Sequence, residues 1–288
     1  MNLYFPLTIG STKQVIRLCK NANLMRVDFE DCSEIVGKDQ LKFDEDGFLV
    51  GYRNLTSLHA GMLPGRINLS SFEFGVRFQC ANFLLVTSER EYAEMLQFTM
   101  QLLGPCIGGP ILGYADPRVK SQYVYLRHTH YWPLGGGTFL KCDSEGERRL
   151  IDLFGNVERM WKQAKLRTMA EWFTYAEADH VPTLDGRFLA LAIVCEMLLL
   201  PEQTQELSYR FKLRFAKIFA QIENADVTES YARAGVFYKT RSAIAHKGTA
   251  NVRTPLLNEL RTSARTLLLT YIQDPSKFDE ATLDAMCL

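Results

Sequence analysis

Tyr238-Lys239-Thr240-Arg241-Ser242-Ala243-Ile244-Ala245-His246-Lys247-Gly248 closes a long helical pattern with an arginine and a histidine five positions apart. Tyr231, Ala234, Phe237, Ile244 and Ala245 recur upstream and within it at helical spacing, and Arg241 falls on the same apolar stripe. A buried charge without a partner is costly, so an arginine in that place calls for either an ion pair or a function. Gly248 ends the helix, which leaves His246 in its last turn.

Spacing alone is weak support, because about one arginine followed after four to six residues by a histidine is expected by chance in a chain of this composition. A second instance is Arg53-Asn54-Leu55-Thr56-Ser57-Leu58-His59, between Gly51 and Gly61, where no long amphipathic helix is written. Context therefore selects Arg241 and His246.

Outward from this segment the chain has two grammars. From Glu145 the pattern is helical, with breaks at Pro182, Pro201, Asn224, Gly248 and Pro275 that predict five or six helices. Leu150, Leu153, Phe154, Val157, Met160 and Trp161 form one stripe, and Leu207, Phe211, Phe215, Ile218 and Ile222 another. Before Asp143 the sequence is punctuated by Gly, Pro and Asn and reads as strands at Phe72–Phe78, Asn82–Val86 and Tyr123–Leu126. One helix interrupts them from about Ser88, its N-cap, to Leu103, stopped by Gly104-Pro105. The expected class is α+β: a β-rich domain with one or more helices over 1–143, followed by an all-α bundle over 144–288.

Composition narrows the function. The 33 Lys+Arg and 33 Asp+Glu residues balance, so a site for a polyanion has to be a local patch. The 7 cysteines contain no Cys-x-x-Cys pair and read as reduced thiols of a cytoplasmic protein. The first residues lack the basic-then-apolar pattern of a leader, and the apolar run Phe188–Leu200 is short and broken by Glu196, so no membrane span is expected.

Three segments in the C-terminal half resemble the HEPN superfamily of helical nucleotide-binding domains, and within it the ApeA-like branch. They are Arg187–Pro201, Glu206–Ala216 and Phe237–Gly248, within a likeness that spans about Asp185 to Tyr271. The resemblance implies a metal-independent endoribonuclease without cofactors that cleaves single-stranded RNA to 2′,3′-cyclic phosphate ends. It also implies a homodimer formed through the helical domain, with two copies of the arginine and histidine helix facing one cleft. Arg241 and His246 are then catalytic, the first on the phosphoryl oxygens and the second as general base or acid. A toxin-like or anti-phage defence effector, with an unidentified regulator acting on the N-terminal domain, is what the family's habits imply.

Ser242 stands where many members of the superfamily carry Asn, Asp or His, and is a weaker orienting group. Glu196 interrupts an apolar helix and is read either as the partner of Arg241 or another site cation, or as a structural ion pair elsewhere in the bundle. Lys247, Arg210 and Arg214 are candidate RNA contacts; Arg210, Arg214 and Lys217 share one helix face, and Arg261 and Arg265 repeat the spacing, as phosphate contacts or as a solvated face. His128, His130 and Cys142 lack a fourth partner for a metal, and Gly108-Gly109 and Gly135-Gly136-Gly137 read as turns. The competing function is a non-catalytic nucleotide- or RNA-binding or dimerisation module in which Arg241 holds an anion. A third reading places the main function in a ligand-binding N-terminal half, with the bundle as scaffold.

Overall fold

The computed structural model describes residues 3–7, 9–11, 13–26, 41–43, 49–52, 83–104, 112–115, 123–125, 140–141, 143–177, 183–201 and 205–287. The chain divides into two compact units, Met1–Glu158 and Arg159–Leu288, the first mixed and the second helical, which makes it an α+β protein. The Phe72–Phe78 strand, Arg53 with His59, the two glycine clusters, His128, His130 and Cys142 lie outside the described residues.

The strands of the first unit are β1 (Leu3–Leu7), β2 (Ile9–Gly10), β3 (Val15–Cys19), β4 (Ala22–Arg26), β5 (Leu41–Phe43), β6 (Leu49–Tyr52), β7 (Phe83–Thr87), β8 (Leu112–Ala115), β9 (Tyr123–Tyr125) and β10 (Leu140–Lys141). Six of them form an antiparallel sheet in the order β3-β4-β7-β1-β8-β9. Alternation decides which side is buried: Ile16 pairs with Leu24 and Leu24 with Leu85, and all three are fully enclosed. Strand β2 pairs in parallel with β10, and β5 with β6 in antiparallel.

Helix α1 (Glu91–Leu103) buries Tyr92, Met95, Leu96, Thr99 and Leu102. Its cap position is Arg90, two residues after the Ser88 that the sequence predicts. The Thr87 hydroxyl accepts from the Glu89 N–H at 3.2 Å and holds those residues in a turn ahead of the helix. Helix α2 (Ser144–Met160) is capped by Asp143, which accepts from the Gly146 N–H at 2.8 Å. Its Leu150, Leu153, Phe154 and Val157 are buried, and Phe154 stacks with Tyr92 at 6.4 Å between ring centroids. The unit boundary accordingly falls in the last turn of α2, whereas the change of sequence pattern precedes it at 143. A change of period marks where helices begin; the partner of the apolar face decides which core a helix joins.

The helical unit comprises α3 (Ala164–Glu177), α4 (Leu184–Leu199), α5 (Leu207–Glu223), α6 (Val227–Lys247), α7 (Thr254–Gln273), a 3-10 turn at Pro275–Phe278 and α8 (Glu280–Ala285). Breaks fall where the sequence puts them at Pro201, at Asn224 with φ 53°, at Gly248 with φ 81° and at Pro275. A further break separates α2 from α3 at Trp161–Gln163, where no glycine or proline announces it. Helix α4 is apolar on all sides and contacts α3, α5, α6 and α7, as a central helix must. Phe188 of α4 meets Phe237 of α6 at 6.3 Å, and Phe237 meets Phe215 of α5 at 5.9 Å. This aromatic group seats α6, and with it Arg241, against the central helix.

Arg214 of α5 is 0% exposed and carries a dense set of bonds. It donates to the Leu199 carbonyl at 2.8 Å, to both carboxylate oxygens of Glu280 and to Asp284 at 2.6 Å, tying α8 to the end of α4. The Arg214 hydrogen bond holds the Asp284 carboxyl below its ordinary value. A carboxyl lowered by folding contributes stability above the unfolded value of about 3.9 and loses it as pH falls through the folded value. The urea midpoint of the helical unit should therefore fall with acidification below about pH 4, with a shallower fall in Asp284→Asn. Equal slopes in the two proteins would refute this.

Candidate functional site

Arg241 lies six residues from the end of α6 and Glu196 three from the end of α4. The Arg241 Nη2 donates to Glu196 Oε2 at 2.9 Å. Of the two side chains, 29% and 19% remain exposed, so the pair sits at the wall of the bundle instead of inside it. Burial pushes the Glu196 carboxyl up, opposed by the charge and hydrogen bond of Arg241. On the arginine, Nε is buried without a hydrogen-bond partner, and Nη1 has none among the described residues. Arg241 and Glu196 line a cleft of about 610 Å³, together with Lys165, Met197, Asp279 and Glu280 among others.

His246 stands one and a half turns further along α6, and its imidazole is exposed without a hydrogen-bond partner among the described residues. Five residues of helix turn it about 140° from Arg241 and advance it about 7.5 Å. It is not part of the cleft wall. Ser242 is half-buried, and Lys247 is exposed beside His246. One chain thus brings Arg241 and Glu196 together and leaves His246 and Lys247 on another face of the same helix.

The cationic row on α5 is not a row at the surface. Arg214, expected among the RNA contacts, is buried, with both terminal nitrogens bonded to Leu199, Glu280 and Asp284, so it is enclosed away from a phosphate. Arg210 is partly exposed and bonded to Asp284 at 2.8 Å. On α7, Arg261 pairs with Glu177 at 2.5 Å. Arg210 and Arg214 of α5 meet acids of α8, and Arg261 of α7 meets Glu177 of α3, pairings between elements that helical spacing within one element does not report.

Lys165 was not marked by the sequence as a site residue. It enters the cleft from α3, with its ammonium 5.4 Å from the Tyr271 ring centroid. Nothing local distinguishes it from other lysines; only the packing of α3 against the end of α4 puts it near Arg241. Cys195, next to Glu196, is a free thiol, fully buried and pushed up by desolvation, which makes it an inert core residue; Cys19 and Cys287 are also free. Among the described residues no cluster of three His, Cys, Asp or Glu side chains is placed to hold a metal, and no helix is long and apolar enough to cross a membrane.

In comparisons with known proteins the chain matches no family model, no curated protein and no solved structure. Function therefore has to be argued from the residues and their geometry.

Proposed function

We propose that the helical unit is a HEPN-type endoribonuclease, metal-independent, that cleaves single-stranded RNA and works as a homodimer. The observation that supports this reading is Arg241, paired with Glu196 in the wall of a cleft. A guanidinium oriented by one carboxylate keeps part of its donor fork for a second anion, as a phosphoryl oxygen requires. In the reaction the 2′-oxygen attacks the adjacent phosphorus, the bond from phosphorus to the 5′-oxygen breaks, and that oxygen takes up a proton. Arg241 neutralises charge on the phosphoryl oxygens. His246 accepts the 2′ proton or supplies the 5′ one, the product being a 2′,3′-cyclic phosphate.

Because Arg241 and His246 face different directions, a site using both closes only against a second surface. A second copy of α6 supplies it in the proposed dimer, and Lys247 beside His246 then contacts RNA. The cellular role we infer is that of a cytoplasmic toxin-like or anti-phage effector, with the N-terminal unit acting as sensor. The exposed position of His246 also favours a second reading, a module that binds nucleotide or RNA through Arg241 without turnover.

The two separate in one assay with labelled single-stranded RNA in excess EDTA and a matched 2′-O-methyl oligonucleotide. Cleavage of the RNA to cyclic phosphate ends, with the 2′-O-methyl strand intact, is the expected result. Binding without product selects the second reading, and cutting of the 2′-O-methyl strand excludes the proposed chemistry. Light scattering that gives a monomer at micromolar concentration would remove the shared cleft.

A further inference from the structure

Asp185, in the first turn of α4, closes on the chain that follows His246. Its Oδ2 accepts from the Thr249 hydroxyl at 2.7 Å and from the Ala250 N–H at 3.0 Å, and its Oδ1 accepts from the Val252 N–H at 2.8 Å. Partial burial pushes this carboxyl up, but the hydrogen bonds outweigh it and leave the group below its ordinary value. Asn251, at φ 53°, completes a turn wrapped around one carboxylate. Just before it, Gly248 at φ 81° returns its N–H to the Ile244 carbonyl at 2.9 Å.

Helix α4 therefore holds α6 at two places, through Glu196 on Arg241 and through Asp185 on residues 249–252. The two acids are about 16 Å apart along α4; Arg241 to Lys247 rises about 9 Å, and residues 248–250 can span the remaining roughly 7 Å. His246 lies between the two anchors. Since its imidazole has no partner among the described residues, the backbone alone fixes the direction of its Cα–Cβ bond and so the region the ring can reach.

We propose that Asp185 is a positioning residue that holds the end of α6 so that His246 is presented at a constant angle to the phosphate bound by Arg241. This rests on the ribonuclease reading above. Displacement of a reacting group by about 1 Å can cost a factor of about 100 in rate, so a clamp that begins at Thr249, in the turn just after the histidine, has leverage on turnover. It has little on binding, because the Arg241–Glu196 pair is made elsewhere on α4.

The test compares the full chain with Asp185→Ala and Asp185→Asn in RNA cleavage, thermal unfolding and NMR of the His246 ring, assigned with His246→Gln. Asp185→Ala should lower kcat about tenfold or more with KM changed by less than about twofold. Asp185→Asn, which keeps one acceptor oxygen, should be intermediate in kcat. The His246 ring line, expected to be single and sharp in the wild type, should broaden or split in Asp185→Ala. An unchanged kcat, or parallel changes in kcat, KM and unfolding temperature in both variants, would overturn the proposal in favour of a plain loop cap. If the wild-type chain cleaves no RNA, the ribonuclease reading fails, and the His246 line still decides the clamp: an unaltered line in Asp185→Ala sinks it.

Discussion

Arg241→Ala is expected to lower the single-turnover rate of RNA cleavage about 100- to 1,000-fold, the range for removing one oriented donor from developing negative charge. Two effects combine in that substitution. The phosphoryl oxygens lose their cation, and Glu196, 19% exposed and already raised by burial, loses its partner. The second effect concerns stability and can be removed separately. In Arg241→Ala combined with Glu196→Gln, the uncompensated carboxylate is gone while the phosphate ligand is still missing. Unfolding temperature should recover toward wild type in the double variant, and cleavage should not. Arg241→Lys keeps the charge without the planar fork and should fall between wild type and alanine. Recovery of cleavage in the double variant would mean that Arg241 serves the fold alone.

Arg214→Ala should be the most damaging single change to the helical unit, costing about 3–5 kcal/mol. The side chain is fully enclosed, and its loss removes the bonds to Glu280 and Asp284 and leaves the Leu199 carbonyl, one of the last acceptors of α4, without this donor. For a unit of this size such a loss corresponds to roughly 10–20 °C in the midpoint of its thermal transition. Arg214→Met fills most of the volume without leaving an alanine-sized cavity and should be milder. Asp279 and Glu280 form part of the cleft wall, so loss of this anchor should also open the site to solvent. Calorimetry of the three proteins is the measurement, and a shift of less than about 3 °C for Arg214→Ala would show that solvent replaces the lost bonds.

Arg241 and Arg214 look alike in sequence: each sits among aromatic and aliphatic residues at helical spacing. Their surroundings differ in the fold, where one opens on a cleft and the other is sealed under α8. Helical period identifies the face on which a residue lies, but a face can be capped by a distant element. The acids that pair with Arg214 come from α8, beyond any pattern carried by α5 itself. The same limit hid Lys165 and Asp185, whose partners are brought to them by packing between helices far apart in the chain.

What the amino-acid order determined by itself was local: the periods that made α2 and α4 to α7 helices, and the stops at Asn224 and Gly248, which rest on residues that tolerate left-handed backbone. It also determined that Arg241 and His246 share one helix and point about 140° apart, since that follows from 3.6 residues per turn. Tertiary structure alone decided that Glu196 is the acid against Arg241, that Arg214 is buried, that α2 joins the sheet unit, and that Asp185 ties down the turn after His246. Each of those depends on which surfaces exclude water together, a property of pairs of elements that no single segment encodes.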